Sequence, residues 1–213
     1  MNKKIAIIGA GGHGKVVGEI AFLNKYETIH FFDDQVDKIK NFPFKIIGNL
    51  KLLKNNFKNY DDFFVAIGNN IKRYDQISWL KKEKKNIAIL IHPKSTISQL
   101  SSIQAGSCVM ANAVINPGTF IKEGVIINTS SSIDHDCFIE DYAHISPNCS
   151  LAGNVSVGKF TQLGTGTSVH PGINIGKNSK TGIGSKIYKF PPFFKNSSNS
   201  FNKIFFGFLA CLA

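Results

Sequence analysis

Cysteine is scarce in this 213-residue chain, and the four present, Cys108, Cys137, Cys149 and Cys211, show no paired spacing. That argues against a disulfide framework and against structural zinc. Acidic residues are also few, 14 against 25 lysines and arginines, for a net charge of +11. A balance of that sign suits phosphate-rich ligands, but the lysines are scattered over Lys3, Lys4, Lys15, Lys38 to Lys58 and Lys81 to Lys85. With no aromatic-basic RNA motif and no helix-turn-helix signature, nucleic acid is not the expected partner, and the lysines read as a solvated surface. Long hydrophobic runs are missing too. The final ten residues, Ile204 to Ala213, are apolar but fall well short of the ~20 that a membrane span needs. The N-terminus carries no signal-peptide core, so the expected location is the cytoplasm, with membrane contact by the tail disfavoured.

What the chain has instead is a repeat. Every sixth residue from Ile97 to Ile187 is aliphatic, with Thr181 as the exception and no insertion to break the register. Four residues after each aliphatic comes a small one, running Ser101, Ser107, Ala113, Thr119, Val125, Ser131, Cys137, Ala143, Cys149, Val155, Thr161 and Thr167, with Ile173 the larger member before Ser179 and Ser185. A period of six fits neither a 3.6-residue helix nor a lone amphipathic strand. It fits a chain that turns a corner every six residues and stacks three-sided coils of 18 in parallel, five coils in all. The aliphatic points inward from mid-strand, and the small residue fills the tapering corner. Each coil bonds only to its neighbours, so the ends of such a solenoid need covers.

Residues 1–92 supply one cover and read as a small α/β domain, with the solenoid over 93–187 and a Phe-rich tail over 188–213. The expected strands are Lys4 to Ile8, Ile29 to Phe32, Phe63 to Ile67 and Ile87 to Ile91, and His92-Pro93 marks the join. The first strand runs into Gly9-Ala10-Gly11-Gly12-His13-Gly14. Gly9, Gly11 and Gly14 match G-x-G-x-x-G, and Asp33 follows at about the distance expected of a ribose-binding acid. Glycines after a buried strand let a phosphate reach backbone amides and a helix N-terminus. So short a domain holds about half of a two-fold dinucleotide fold, and His13 adds a polar contact that the fingerprint does not require. A nucleotide-linked ligand is therefore expected in preference to NAD.

The second chemical element is Asn128-Thr129-Ser130-Ser131-Ser132-Ile133-Asp134-His135-Asp136-Cys137. His135 is the third residue of its repeat and faces outward, with Asp136 beside it. Adding 18 places Gly153 above His135 and Asn154 above Asp136, and subtracting 18 places Pro117 and Gly118 below. Small neighbours leave the imidazole room for a substrate, and Asn154 is positioned to hold the carboxylate. A histidine with an adjacent acid is suited to removing a proton from an amine or hydroxyl, because the acid fixes the tautomer and stabilises the imidazolium. His30, His92 and His170 read as structural or surface residues. His135, His144 and His170 lack the close pairing that a three-histidine zinc site across an interface needs, so no metal is expected.

Hexapeptide repeats behind Ile-Ile-Gly-Ala-Gly-Gly-His-Gly resemble the sugar acyltransferase family that includes sialic acid O-acetyltransferases. Phe63 to Asn70, Asn128 to Ser131, the His135 segment and Ala152-Gly153-Asn154-Val155 are similar to the bacterial UDP-amino-sugar N-acetyltransferases of bacillosamine synthesis. The resemblance implies a left-handed parallel β-helix, a homotrimer, and acetyl-CoA bound between neighbouring solenoids. It makes His135 the general base and Asp136 the acid that raises its basicity, where the bacillosamine enzymes usually carry glutamate. It implies that His144, Gly164, Thr165, Gly182 and Ile183 meet acetyl-CoA. It likewise implies that Gly11, Gly12, His13, Asp33, Asp34 and Gly68 hold the nucleotide-sugar, with Asn128 orienting the acceptor group.

The expectation is thus an acetyl-CoA-dependent N-acetyltransferase acting on a nucleotide-linked amino-sugar, with a metal-free site. Two alternatives stand beside it: O-acetylation of a sugar hydroxyl by the same base, and a non-catalytic nucleotide-sugar-binding solenoid. The tail after Ile187 lacks the family's usual Gly-x-Pro-Ala-like closing turn, and reads as a cap, a membrane contact or a frame-shifted end.

Overall fold

The computed structural model describes residues 3–188, so Cys211 and the tail readings, from residue 189 on, lie outside the described residues. Its first unit is an α/β layer: β1 (Lys4–Ile8), α1 (Gly12–Leu23), β2 (Thr28–Phe32), β3 (Lys45–Gly48), α2 (Leu50–Asn55), β4 (Asp62–Val65) and α3 (Asn70–Lys82). The sheet is parallel in the order β3-β2-β1-β4. Parallel strands covered on both faces read as continuous apolar runs, as Ile5 to Ile8 and Phe63 to Val65 do. One face carries Ile5, Ile7, Phe31 and Phe64 onto α1 and the solenoid. The other carries Ala6, Ile8, Phe32 and Val65 onto Leu53, Ile77 and Leu80. Two glycines of the turn are fixed by the fold itself. Gly9 sits at φ 103°, and a Cβ on Gly14 would lie 2.3 Å from the Gly9 carbonyl oxygen, so β1 and α1 meet only without side chains there. The sequence reading omitted β3 and α2, a four-residue edge strand and a six-residue helix whose one local signal is Asn49, an N-cap accepting from the Leu52 amide.

The second unit is a left-handed parallel β-helix of two-residue strands on three faces. The first face holds Leu90–Ile91, Cys108–Val109, Ile126–Ile127, His144–Ile145 and Gln162–Leu163. The second holds Thr96–Ile97, Val114–Ile115, Ser132–Ile133, Ser150–Leu151, Ser168–Val169 and Lys186–Ile187, and the third Ser102–Ile103, Phe120–Ile121, Phe138–Ile139, Ser156–Val157 and Asn174–Ile175. Partners are 18 residues apart, as in Ile121 with Ile139 and Ile127 with Ile145. The aliphatic register fills the core from Val109 to Ile175, each side chain contributing about 1.5–3 kcal/mol by leaving water. The small register does more than fit. Ser107, Thr119, Ser131, Cys137, Cys149 and Thr161 donate to carbonyls 15 residues on, so each coil is tied to the next from within. Thr181 joins that network, bonded to the Thr167 hydroxyl and the Gly164 amide, and the strand position before it keeps only one bridge, Gln162 to Lys180.

A third register went unread in the sequence. Gly106, Asn112, Gly118, Gly124, Ser130, Asp136, Tyr142, Asn148, Asn154, Phe160, Gly166, Gly172, Asn178 and Gly184, every sixth residue, have positive φ. Each is a corner. A non-glycine residue there costs about 1–2 kcal/mol, least for Asn and Asp. Tyr142 and Phe160 offset that by stacking on each other at 5.5 Å and meeting Tyr74 of α3 edge-on.

The expected fourth strand, Ile87 to Ile91, divides. Ile87 makes one bridge to Phe63 at the edge of the α/β sheet, whereas Leu90–Ile91 pairs with Cys108–Val109 as the first rung of the solenoid. The solenoid therefore starts before residue 93, because Ile91 already stands on the sixfold register. The α/β unit lies against the first face, burying Cys108, Met110 and Ile126 with Ala88 and Leu90. Among the described residues no helix is long and apolar enough to cross a membrane.

Candidate active site

The strand order reverses between β1 and β4, and at the carboxyl ends of an open parallel sheet that is where a crevice forms. A cavity of about 640 Å³ opens there, lined by Gly9 to His13, Asp33 to Gln35, Ala66 to Gly68 and Lys72, Asp75 and Gln76. Gly11, Gly12 and Gly68 have open space where a Cβ would stand. Nothing in the fold requires glycine at these three, which leaves room for an approaching ligand. Gly11 caps α1 with no side-chain bond and no acid follows in the first turn, so the helix N-terminus keeps amides and partial positive charge for an anion. Asp33 and Asp34 line the pocket but also brace it. Asp33 accepts from the amides of Ala10 and Gln35 at 2.9 Å, and Asp34 from Leu50 at 3.0 Å. Lys72, Asp75 and Gln76 escaped the sequence reading because they stand on α3, whose amphipathic pattern marks only its buried side.

Behind this pocket, where the two units meet, lies a second cluster. His13 and His144 face each other across the junction, one from α1 and one from the first solenoid face. The Asn128 amide nitrogen lies 3.2 Å from His144 Nε2, and Asn128 Oδ1 accepts from the Thr129 amide. The latter bond fixes the orientation of the side-chain amide, so its nitrogen donates to Nε2 and the imidazole proton of His144 rests on Nδ1. That Nδ1 makes no hydrogen bond of good geometry although the Gly68 carbonyl is near, and His13 Nε2 is enclosed without a hydrogen-bonding partner among the described residues. Burial, with repulsion from His144 and Arg73, pushes His13 down to about 3. Burial and Arg73 push His144 down to about 4, against a pull upward from the Gly68 carbonyl. Both rings are therefore neutral at physiological pH.

His135 stands on a different edge, where the second face turns into the third. Its Nδ1 is 2.8 Å from Asp136 Oδ2, and the two side chains are 59% and 66% exposed, open to a ligand. Asp136 is a corner residue at φ 57°, which swings its carboxylate back onto the preceding ring. The bond to Asp136, with the charge of Asp134, raises the His135 pKa above its ordinary value. Asp134 is held in turn by the Asn116 amide and the His135 backbone, and these bonds lower its own pKa. The neighbours expected at plus and minus one coil are in place: Asn154 N donates to His135 O, Asp136 N donates to Pro117 O, and a Cβ on Gly153 would fall 2.5 Å from His135 Nε2. One expectation fails. The acid held by an asparagine is Asp134, by Asn116; Asn154 itself occupies a corner at φ 58° and makes no bond to Asp136. Cys137 is fully buried, gives its Sγ proton to Ala152 O, and has a thiol pKa raised by burial, which removes it as a nucleophile.

The structure thus sorts the candidate residues into two groups. Asn128, Gly164 and Gly182 share one register on the edge between the first and second faces, Gly164 two coils above Asn128 and Gly182 one coil further, with Thr165 and Ile183 next to them and His144 at the adjoining strand. Ile183 is 86% exposed, an apolar side chain left uncovered on this edge. The glycine pocket and His13 adjoin that group. His135 and Asp136 are separated from it by the full width of the second face.

A glycine-lined pocket at a helix N-terminus, packed against a β-helix that carries an outward histidine–carboxylate pair, defines a protein of the hexapeptide-repeat class. Residues 4–80 match the model of the PglD N-terminal domain family. The chain is 36% identical over 118 residues to UDP-N-acetylbacillosamine N-acetyltransferase of Bacillus subtilis (strain 168), covering 51% of this chain and 52% of that protein. It therefore spans about half the length of the curated relative it matches. The acetyltransferase domain of PglB from Neisseria gonorrhoeae FA1090 superposes with a TM-score of 0.83 at 40% identity, over 88% of this chain and 92% of that one. A variant of perosamine N-acetyltransferase from Caulobacter crescentus, in complex with CoA and GDP-perosamine, gives 0.81 at 31% identity over 88% and 90%. The chain belongs to the hexapeptide-repeat sugar acyltransferase family.

Proposed function

We propose that this protein transfers the acetyl group of acetyl-CoA to the amino group of a nucleotide-linked amino-sugar, for use in bacterial glycan synthesis. The observation that carries the reading is the His135–Asp136 pair: Nδ1 is bound to the carboxylate, and Nε2 is left bare over Gly153. A neutral imidazole oriented in that way accepts a proton at Nε2. The amine nitrogen attacks the thioester carbonyl, a C–N bond forms and His135 takes the amine proton. The tetrahedral centre then collapses with loss of the C–S bond, and the CoA thiolate recovers a proton from solvent or from His135. The nucleotide enters the glycine pocket, its diphosphate at the N-terminus of α1 beside Gly11 and Gly12, with Asp33, Asp34 and Gly68 around the nucleoside. His144, Gly164, Thr165, Gly182 and Ile183 form the edge for acetyl-CoA, and Asn128 orients the acceptor amine. The relatives fit this reading, since one is named for a UDP-linked sugar and another was crystallised with CoA and a GDP-sugar.

The pocket and the base lie on different edges of one chain, so a complete site requires a second copy whose His135 edge meets the first copy's Asn128 edge. Repeating that contact closes a cyclic homotrimer. Acetyl-CoA and a nucleotide-sugar are both water-soluble substrates, which supports a location in the cytoplasm. Thiol release from acetyl-CoA, measured against UDP- and GDP-linked amino-sugars with sialic acid alongside, tests the proposal. Turnover of an amino-sugar nucleotide supports it, turnover of sialic acid alone shifts the reading to O-transfer, and acceptor binding without thiol release sinks catalysis.

A further inference from the structure

Arg73 is fully buried, and no carboxylate lies in contact with it among the described residues. Its charge is met by carbonyl oxygens instead. Nε donates to Gly124 O at 2.7 Å, Nη2 to Tyr142 O and Asn70 Oδ1 at 2.8 Å, and Nη1 to Ile67 O and Gly68 O at 3.0 and 3.1 Å. Asn70 continues the pattern by donating to Phe160 O at 2.8 Å. Gly124, Tyr142 and Phe160 are left-handed corners of three successive coils, so the first turns of α3 bind three stacked carbonyls along one solenoid edge. The same guanidinium grips Ile67 and Gly68, the wall of the glycine pocket. A planar fork with five donors spans these acceptors at once; a lysine, with a point charge and three donors, cannot.

We propose that Arg73 is a positioning residue, which stitches the Ile67–Gly68 wall of the acceptor pocket to the solenoid and so sets where a bound nucleotide-sugar lies relative to the transfer edge. The inference rests on the acetyltransferase reading for its kinetic consequences but not for its structural one. Gly68 is the point of leverage. Its carbonyl accepts from Arg73, and it acts on His144 from the other side of the junction. The groups that face the guanidinium are His13 from α1, His144 and Cys108 from the first solenoid face, and Tyr142 from the corner. Its charge adds to burial in keeping both imidazoles unprotonated, so the junction presents the acceptor with neutral rings.

The test uses the full chain with Arg73→Met and Arg73→Lys. The acceptor KM is expected to rise about tenfold or more in Arg73→Met and less in Arg73→Lys, with the acetyl-CoA KM moving less than about twofold in both. Amide exchange of the ligand-free protein should quicken at residues 66–70 while the solenoid core keeps its protection. Unchanged KM values with unchanged exchange overturn the proposal. So does a drop in kcat that tracks the folded fraction, with both KM values constant and exchange faster everywhere, which is the signature of a merely structural arginine. Should Arg73→Met fail to fold, Arg73→Lys decides by the same readings. If the wild type turns over no acceptor the functional reading fails, and ligand-free exchange still decides the stitching.

Discussion

Gly153 separates the role of His135 from the stability of the solenoid. A methyl group at this position would lie 2.5 Å from His135 Nε2, 2.6 Å from Cε1 and 3.1 Å from Cδ2. Ordinary contact is about 3.5 Å, so the ring must withdraw by roughly 1 Å. It can, because the side chain is more than half exposed. Gly153 does not have a positive φ, so alanine meets no backbone strain. Gly153→Ala is therefore expected to cost less than about 1 kcal/mol of stability, as a surface change does. Turnover should nevertheless fall about 10²-fold, because a base displaced by about 1 Å misses its reacting proton. The KM values for both substrates should hold, since neither binding edge is touched. Steady-state kinetics with thermal melting make the measurement, and a cycle with His135→Ala gives the control. In the His135→Ala background, the added methyl should change nothing. Full turnover in Gly153→Ala, or an equal further loss on top of His135→Ala, would refute the assignment of Nε2 as the reacting atom.

His135→Ala alone should lower kcat about 10²- to 10⁴-fold with acetyl-CoA affinity nearly intact, as read by kinetics and calorimetry; near-wild-type turnover removes His135 from the mechanism. Asp136→Asn should lose less. Asp136 is the largest cause of the raised His135 pKa, and a base works only when unprotonated, so the acid limb of kcat/KM should move to lower pH in that variant. A limb that stays in place identifies another base. Gly12→Leu projects into open pocket space and should raise the acceptor KM far more than that of acetyl-CoA; the reverse would mean that the two ligands are assigned to the wrong units. Melting temperature should fall with acidification. His13 and His144 protonate only near about 3 and about 4 when folded but near 6.5 when unfolded. Their contribution is complete above pH ~6.5 and is lost progressively below it, at up to about 1.4 kcal/mol per proton per pH unit. His135 has a shift of the opposite sign but is exposed, so a flat melting profile from pH 7 to 5 would contradict the burial of the two junction histidines.

The sequence by itself determined the solenoid, because its core is one-dimensional. Each coil buries its own aliphatic against the next, so a period of six in the chain is a period of six in space, and arithmetic in steps of 18 put Gly153, Pro117 and Gly118 beside His135 and Asp136. The glycine pocket was legible for a related reason, since Gly9 and Gly14 are demanded locally by a tight strand-to-helix approach. Tertiary structure alone decided what happens between the two units. Arg73 has no local signal in the sequence, and only docking of α3 on three stacked corners buries it among carbonyls. His13 and His144 are far apart in sequence, and only the junction makes them a neutral pair. The split of the predicted fourth strand has the same origin: Ile87 and Leu90 share one apolar run, and whether each joins the sheet or the solenoid depends on partners distant in the chain. The separation of the base from the acceptor pocket is decided at that level too, because periodicity fixes which edge a residue occupies but not which edge the α/β unit packs beside.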